Sequence, residues 1–281
     1  MDEEAHQLLL PLVEEENICL PLPINVVSKY WNVELPMAEA IESAKKYSDF
    51  DGSIIIEGIE IAERHGLSCK IVHSSLPELK KIIDSGIPPI VILPGIPEIT
   101  QHASVITGYD EDEKTILHYI QKGNQEGEQQ EGAIPQDIFD REWSEEGRLL
   151  IIISPPDILS KITLENNFQN ESNRLCFNSE QLNILKNSTE ALLSLKKSIE
   201  LDSNNSTALH LYGTMLNQQN SPECVSFYEK SLKINARSYL TFNGLGNFYL
   251  KTNEFQKAEN SYSQAIEINP KRSAKIYKNR A

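Results

Sequence analysis

The segment AENSYSQAIEINPKR, residues 258–272, has two counterparts earlier in the chain. They are CVSFYEKSLKINARS at 224–238 and ALLSLKKSIELDSNN at 191–205, so the three segments start 33 and then 34 residues apart. A repeat of about 34 residues is typical of stacked helix-turn-helix units, each of which buries its apolar face against its neighbours. The sequence therefore predicts an all-α repeat solenoid over 181–281.

The last complete repeat carries small and large residues at a spacing that lets two helices cross closely. These residues are Phe242, Leu245, Gly246, Tyr249, Ala258, Tyr262, Ala265 and Pro270. On this pattern, the second half of the chain resembles the tetratricopeptide repeat family. The resemblance implies a protein-interaction module whose concave face binds a protein partner. Helix position predicts four residues on that face: Tyr212, Asn217, Asn243 and Asn247.

The chain before residue 155 has a different pattern of apolar residues, which predicts helices first and then a series of strands. Helices are predicted over 53–65 and 76–86, and strands over 66–72, 88–94, 102–109, 114–120 and 148–154. This order predicts an α+β domain over 1–155. The polar, glycine-rich residues 121–133 are predicted to form a loop. Residues 156–180 are predicted to be a linker that includes a helix.

Composition narrows the classes of partner. The 281 residues carry a net charge of -15 and the pI is about 4.9. Nucleic acids and anionic membrane surfaces need clustered Lys and Arg, so neither is an expected partner. No stretch approaches the roughly 20 apolar residues of a membrane helix, and the acidic start is unlike a signal peptide. The four cysteines are widely spaced, which predicts a reducing, cytoplasmic protein with no metal and no cofactor.

Cys19 stands out among these cysteines because of the stretch NICLPLPINVVSKYW at 17–31. Pro21 and Pro23 fit the first turn of a helix, so Cys19 is predicted to lie at its amino-terminal end. Such a position favours the thiolate, the reactive form of cysteine, although a buried packing role is the alternative. A cysteine nucleophile needs a base, and His102 is well placed for this because it opens the strand HASVITGY directly after a loop.

The first half of the chain also resembles a known family. Cys19, Pro21, the run from Pro88 to Leu93, His102 and the tripeptide 108–110 follow one another as in the papain-like peptidases that cut leader peptides after a double glycine. The resemblance extends over about 8–154. It implies a papain-like fold, with Cys19 as nucleophile, His102 as proton shuttle, and a peptide or protein substrate in a cleft.

Four residues depart from the family pattern. Leu20 stands where the family has Gly, and Val13 where it has the Gln that donates to the oxyanion. Tyr119 and Ile120 stand where the family has an Asp-Pro pair, whose Asp orients the histidine. The candidate replacements for that Asp are Tyr119 and the amides of Gln121, Asn124 and Gln101.

Two main functions therefore remain open from the sequence. The first is a cysteine peptidase with a Cys19–His102 pair that binds and cleaves peptides and carries a protein-interaction module. The second is a catalytically inactive pseudopeptidase adaptor that binds a peptide and a protein partner. Another thiol chemistry on the same scaffold, such as acyl transfer, is a third possibility. Cys69 alternates with apolar neighbours on a predicted strand, so it is predicted to be buried.

Overall fold

A computed structural model of the chain describes residues 5–11, 20–36, 38–39, 41–42, 55–94, 101–119, 131–162 and 167–272. The chain divides into two compact units. The first comprises the chain up to residue 93 with 102–143 and 148–166, and the second comprises 94–101, 144–147 and the chain from 167 onward. The predicted order, an α+β unit followed by an all-α repeat unit, is confirmed.

The first unit is built around a sheet to which seven strands of the described chain contribute. The strands are β1 Ala5–Gln7, β2 Ser68–His73, β3 Ile90–Pro94, β4 Gln101–Asp110, β5 Thr115–Tyr119, β6 Glu131–Pro135 and β7 Leu149–Ser154. Their order is β2-β7-β3-β4-β5-β6, with β1 pairing with β4 beside this path. Strand β4 pairs antiparallel with both β1 and β5, so it is an interior strand of the sheet and its side chains project from the central part of each face.

Five helices of the first unit lie within the described residues. They are α1 Pro21–Tyr30, α2 Ile55–Arg64, α3 Leu76–Asp84, α4 Gln136–Glu145 and α5 Pro156–Leu159. Helix α3 shows why such elements begin and end where they do. The Ser75 side chain accepts from the Glu78 backbone N–H at its start, and Gly86 takes a positive φ of 76° just beyond its end.

The core of this unit lies around β7. All six residues of β7 are buried, in keeping with the five consecutive apolar residues at 149–153 that precede Ser154. Phe139 and Trp143, four residues apart on α4, belong to the same apolar cluster, and both are almost fully buried. Trp143 also donates from Nε1 to the Leu149 backbone oxygen at 2.9 Å, which satisfies its polar atom inside the core.

Helix α1 confirms the helix predicted from the two prolines. Both lie in its first turn, where a missing backbone N–H costs nothing. Residues 21–28 are all buried, so this helix is packed on more than one side. Cys19, two residues before the helix, lies outside the described residues.

Strand β1 was not predicted, and neither were strand β6 and helix α4. Strand β6 begins at Glu131, inside the segment predicted as a loop over 121–133, and the rest of that segment up to 130 lies outside the described residues. Helix α4 has a polar sequence in which only a few positions are buried. Strand β6 forms by pairing with β5, in which Ile134 lies opposite Ile116. Because a strand that depends on its pairing partner has little pattern of its own, the local sequence did not predict it.

The amino-terminal strand β1 lies close against β4 at a glycine, Gly108. His6 lies opposite Tyr109 in the antiparallel register, and the Leu8 N–H donates to the Thr107 oxygen at 2.7 Å. A Cβ on Gly108 would fall far inside contact distance of the His6 backbone oxygen. The absence of a side chain at this position therefore permits the pairing.

Replacing Gly108 by Ala is expected to detach β1, because the clash involves backbone atoms that cannot rotate away. The expected cost is about 1–3 kcal/mol, the range of an overpacked site. Amide hydrogen exchange at Leu8 measures the effect directly, and we expect it to accelerate at least tenfold relative to amides of β7. Unchanged protection at Leu8 would contradict this account of the glycine.

The second unit is all-helical in its described part from 167 onward. Its helices are α6 Asn167–Ile184, α7 Ser188–Leu201, α8 Ser206–Gln218, α9 Cys224–Ile234, α10 Tyr239–Lys251 and α11 Phe255–Ile268, followed by a 3-10 turn over Pro270–Arg272. They pack in consecutive pairs, as the 33- and 34-residue repeat predicts. Helix α6 occupies 167–184, so it covers most of the second half of the segment predicted as a linker over 156–180.

Two tyrosines fill the space between the helices of this unit. Tyr228 on α9 and Tyr262 on α11 are fully buried. A Cβ on Gly213 or Gly244 would come within 3.0 Å of the Tyr228 ring, and one on Gly246 would clash with the Tyr262 ring. Each large ring thus packs on a position without a side chain, which is the role the repeat pattern predicts for its small residues.

Among the described residues, none of the helices combines the length and the apolar character needed to cross a bilayer.

Candidate functional site

His102 lies near the start of β4, and the structure places a second histidine on the same face of the sheet. His118 lies opposite Ile106 in the pairing of β4 with β5. Its Nδ1 atom is 3.2 Å from Oγ of Ser104, within hydrogen-bonding distance. Alternate residues of a strand share a face, so His102, Ser104 and Ile106 point the same way, and His118 joins them.

Both imidazoles favour their neutral form. Burial lowers the pKa of His102 from its ordinary value. Burial also lowers the pKa of His118, and a charge on His102 lowers it further. The two rings are therefore electrically coupled, and near neutral pH this face of the sheet carries no positive charge from them.

The other predicted residues of the catalytic site are distributed differently. Tyr119 follows His118 on β5, so strand alternation turns its side chain to the opposite face from His102. Gln121 and Asn124 lie outside the described residues, as does Cys19, and of Gln101 only the backbone is described. The roles of Cys19, His102, Tyr119 and Gln121 remain predictions.

His118 is the residue that the sequence analysis missed. The sequence did contain one signal for His118. It lies two residues after the apolar Ile116 on a predicted strand, and residues two apart on a strand share a face. Ile116 is fully buried, so His118 lies on the buried face of that strand. The hairpin register that brings His118 beside Ser104 was not available from the sequence.

The three described cysteines are packing residues. All three are buried: Cys69 as its alternation with apolar neighbours predicts, and Cys176 and Cys224 as their places in the helical repeats predict. Burial raises the pKa of Cys176, and it raises that of Cys224 to about 11. A thiol with a raised pKa is a poor nucleophile, so neither of these two competes with Cys19 as a reactive group. No group of three or more metal-ligating side chains occurs among the described residues.

The second unit contains a groove between α8 and α10. It has a volume of about 470 Å³. The lining residues are His210, Thr214, Asn217, Gln218, Tyr228, Leu240, Asn243, Gly244, Asn247, Leu250 and Lys251. Three of the four residues predicted for the concave face are among them. Tyr212 is not, because its ring packs on Phe227 with 4.6 Å between the ring centroids.

The groove offers amide groups and one cation. The Asn217 amide donates to the Gly244 oxygen at 3.1 Å, and the Lys251 ammonium donates to Oδ1 of Asn217 at 3.2 Å. Oδ1 of Asn247 accepts from the Tyr262 hydroxyl at 2.8 Å. The side chain of Asn243 makes no hydrogen bond within the described chain, and no carboxylate belongs to the residues that line this groove. The groove is therefore suited to an extended chain that presents backbone carbonyls and acidic groups.

His210 lies in the wall of this groove in its neutral form. Its Nδ1 is 3.1 Å from the Thr241 hydroxyl, and its ring centroid is 5.8 Å from that of Tyr228. Burial lowers the pKa of His210 to about 4. Unfolding returns the imidazole to water, where its pKa is about 6.5. Between these two values the unfolded chain binds a proton that the folded chain does not.

The His210 contribution to stability is therefore expected to fall as the pH falls from 6.5 towards 4. Replacing His210 by Gln keeps a group able to bond to Thr241 and removes this titration. We expect the stability of wild type relative to the variant to drop by about 2 kcal/mol between pH 7.5 and pH 4.5. Urea unfolding at the two pH values measures this difference. A difference that does not change with pH would contradict the lowered pKa of His210.

Three comparisons with known proteins bear on these two units. Residues 239–272 match the family model of the tetratricopeptide repeat, which confirms the predicted repeat. Anaphase-promoting complex subunit 3 of Schizosaccharomyces pombe is 31% identical over 125 residues, which are 43% of this chain and 18% of that protein. The chain thus covers less than a fifth of the length of this curated relative.

The third comparison is with a solved structure. The chain is similar to a double glycine motif protease from an AMS/PCAT transporter, whose crystal structure contains the leader peptide. The TM-score is 0.40 and the identity is 19%, over 53% of this chain and 94% of that chain.

Proposed function

We propose that this chain is a peptidase-like protein with two binding modules, which works in the cytoplasm. The first unit binds an extended peptide and cleaves it with a Cys19–His102 pair. The groove of the second unit holds a segment of a protein partner. The observation that carries the proposal is the groove between α8 and α10, because the hydrogen-bonding groups of its amides and its one ammonium are only partly used by contacts within the described chain.

The groove supports the binding of a partner through groups left available to a ligand. Asn243 has an amide without a hydrogen bond in the described chain, and the Lys251 ammonium contacts only Asn217. Both donors lie on α10, eight residues apart and so about 12 Å apart along the helix axis, where they can contact an extended chain that follows the groove. The curated relative is by its name a subunit of a complex, which fits a protein partner for the helical unit.

The Cys19–His102 pair is supported by chemistry and order rather than by a measured contact. His102 is half-buried on a central strand, and it is neutral near pH 7, as a general base must be. The alternative function is the inactive adaptor. The partial burial of His102 favours this alternative, because a buried imidazole gains a proton less readily than one exposed to water.

Site-specific cross-linking tests the groove. A photo-reactive amino acid at Gln218, on the exposed rim, is used to identify the bound partner, whose affinity is then measured with purified protein. The double variant Asn243→Ala with Lys251→Ala is expected to weaken that affinity at least tenfold, since each lost hydrogen bond costs about 1 kcal/mol. Asn260→Ala, exposed on α11, is the matched control and should bind as wild type. Equal affinity of all three proteins would exclude the groove as the binding site.

A further inference from the structure

We propose that His118, held by Ser104, is the positioning residue of His102. The proposal rests on the proposed Cys19–His102 pair and deepens it. In a Cys–His site the base is oriented by a third group, which accepts a hydrogen bond from the ring nitrogen that does not face the nucleophile. The sequence offered Tyr119 and Gln121 for this role, whereas the structure brings an imidazole to the same face as His102.

The position of His118 follows from the pairing of β4 with β5. Its partner in the register is Ile106, and its ring reaches back along β4 to Ser104. Ser104 is two residues from His102 on the same strand, so the two side chains are neighbours on one face, about 7 Å apart along the strand. The His118 ring thus lies on the same face as His102, beside Ser104, which is two residues along β4 from His102.

Ser104 makes this arrangement rigid. Only 3% of its surface is exposed, so its hydroxyl has little access to water and needs a partner within the protein. His118 provides that partner through Nδ1 at 3.2 Å. We assign the proton to Nδ1, which donates to the serine oxygen, and this leaves Nε2 of His118 as an acceptor.

The electrostatics of the pair suit an acceptor role. When His102 takes the proton of the Cys19 thiol, its positive charge disfavours a proton on His118. His118 therefore stays neutral and keeps the lone pair on Nε2. The second ring nitrogen of His102 then donates its N–H to that lone pair, and no proton passes to His118. A neutral acceptor of this kind orients the base, as amides do in some Cys–His enzymes.

Tyr119 does not compete for this role in the described structure. Strand alternation turns it away from the face that carries His102 and His118. The assignment therefore distinguishes two adjacent residues of β5, and each can be replaced separately.

The experiment compares the alkylation rate of Cys19 against pH in the full-length protein, read by mass spectrometry on the intact fold. His118→Leu removes the acceptor and is expected to raise the apparent pKa of Cys19 by about one unit, which slows alkylation at pH 6 about tenfold. His118→Gln restores an acceptor at the place of Nε2 and is expected to recover the rate to within about threefold. Ser104→Ala removes the hydrogen-bond partner of the His118 ring. It is expected to raise the apparent pKa of Cys19 as His118→Leu does, but by a smaller amount.

Two controls make the outcome decisive. His65→Gln, which alters a histidine paired with Glu39 elsewhere in this unit, should leave the profile unchanged. The nitrogen chemical shifts of His118 should report a proton on Nδ1 in wild type. An unchanged profile in His118→Leu, while His102→Ala shifts it, would overturn the positioning role and leave the Cys19–His102 pair intact. If His102→Ala also has no effect, the pair itself is wrong and the positioning role falls with it.

Discussion

Replacing Tyr228 by Ala is expected to lower the free energy of unfolding of the repeat unit by about 3–5 kcal/mol, the range for large aromatic side chains in a core. The ring is fully buried and lies against Gly213 on α8 and Gly244 on α10. Its hydroxyl donates to the Thr214 hydroxyl at 3.2 Å. Truncation therefore opens a cavity between three helices and removes the hydrogen-bond partner of the half-buried Thr214 hydroxyl.

Two further variants separate these contributions. Tyr228→Phe keeps the ring and removes the hydroxyl, so it is expected to cost about 1 kcal/mol. Phe255→Ala removes an aromatic ring that is 63% exposed, and it should change stability by less than about 0.5 kcal/mol. Urea unfolding followed by circular dichroism measures all three. A loss for Tyr228→Ala as small as that for Phe255→Ala would show that the ring does not hold the helices together.

Replacing Cys19 by Ala is expected to abolish peptide cleavage, with a loss of at least about 10⁴-fold in rate, because the variant lacks the nucleophile of the proposed reaction. Incubation of the full-length protein with a peptide library, followed by mass spectrometry, measures the cleavage. Binding of the partner to the groove of the second unit should be unchanged, since the substituted residue belongs to the other unit.

Cys69→Ala is the matched control for this experiment, because that thiol is buried on β2. It should cleave as wild type does. Equal cleavage by the Cys19 variant would place the reactive group elsewhere. Absence of cleavage by wild type, with peptide binding retained in both proteins, would instead establish the inactive adaptor.

The helical half of the fold was predictable because its signals are local and repeated. The spacing of Gly246, Tyr262 and their counterparts recurs every 33 or 34 residues, and each tyrosine packs on a glycine as that spacing requires. Helix α6 was harder to delimit. Its sequence is rich in Asn, Glu and Ser, and its burial depends on packing against α7 rather than on its own pattern.

The sheet was predictable only in part. A strand such as β7 can be predicted from its run of apolar residues, because a strand that is buried on both faces has apolar side chains on both. Strand β6 follows a polar, glycine-rich segment, and its identity depends on pairing with β5. Pairing also decides the candidate site. The position of His102 near the start of a strand was predictable, whereas the relation of His118 to Ser104 is set by a register that no local pattern reveals.

The central claim is that Cys19 and His102 form a reactive pair, and the rate of Cys19 alkylation against pH tests it most directly. The account predicts an apparent pKa below 7 for Cys19 in wild type, because a thiolate beside an imidazolium offsets the burial of His102. In His102→Ala the value should rise towards 8.5, that of an ordinary thiol. A Cys19 that titrates near 8.5 in both proteins would contradict the pair and with it the proposed cleavage.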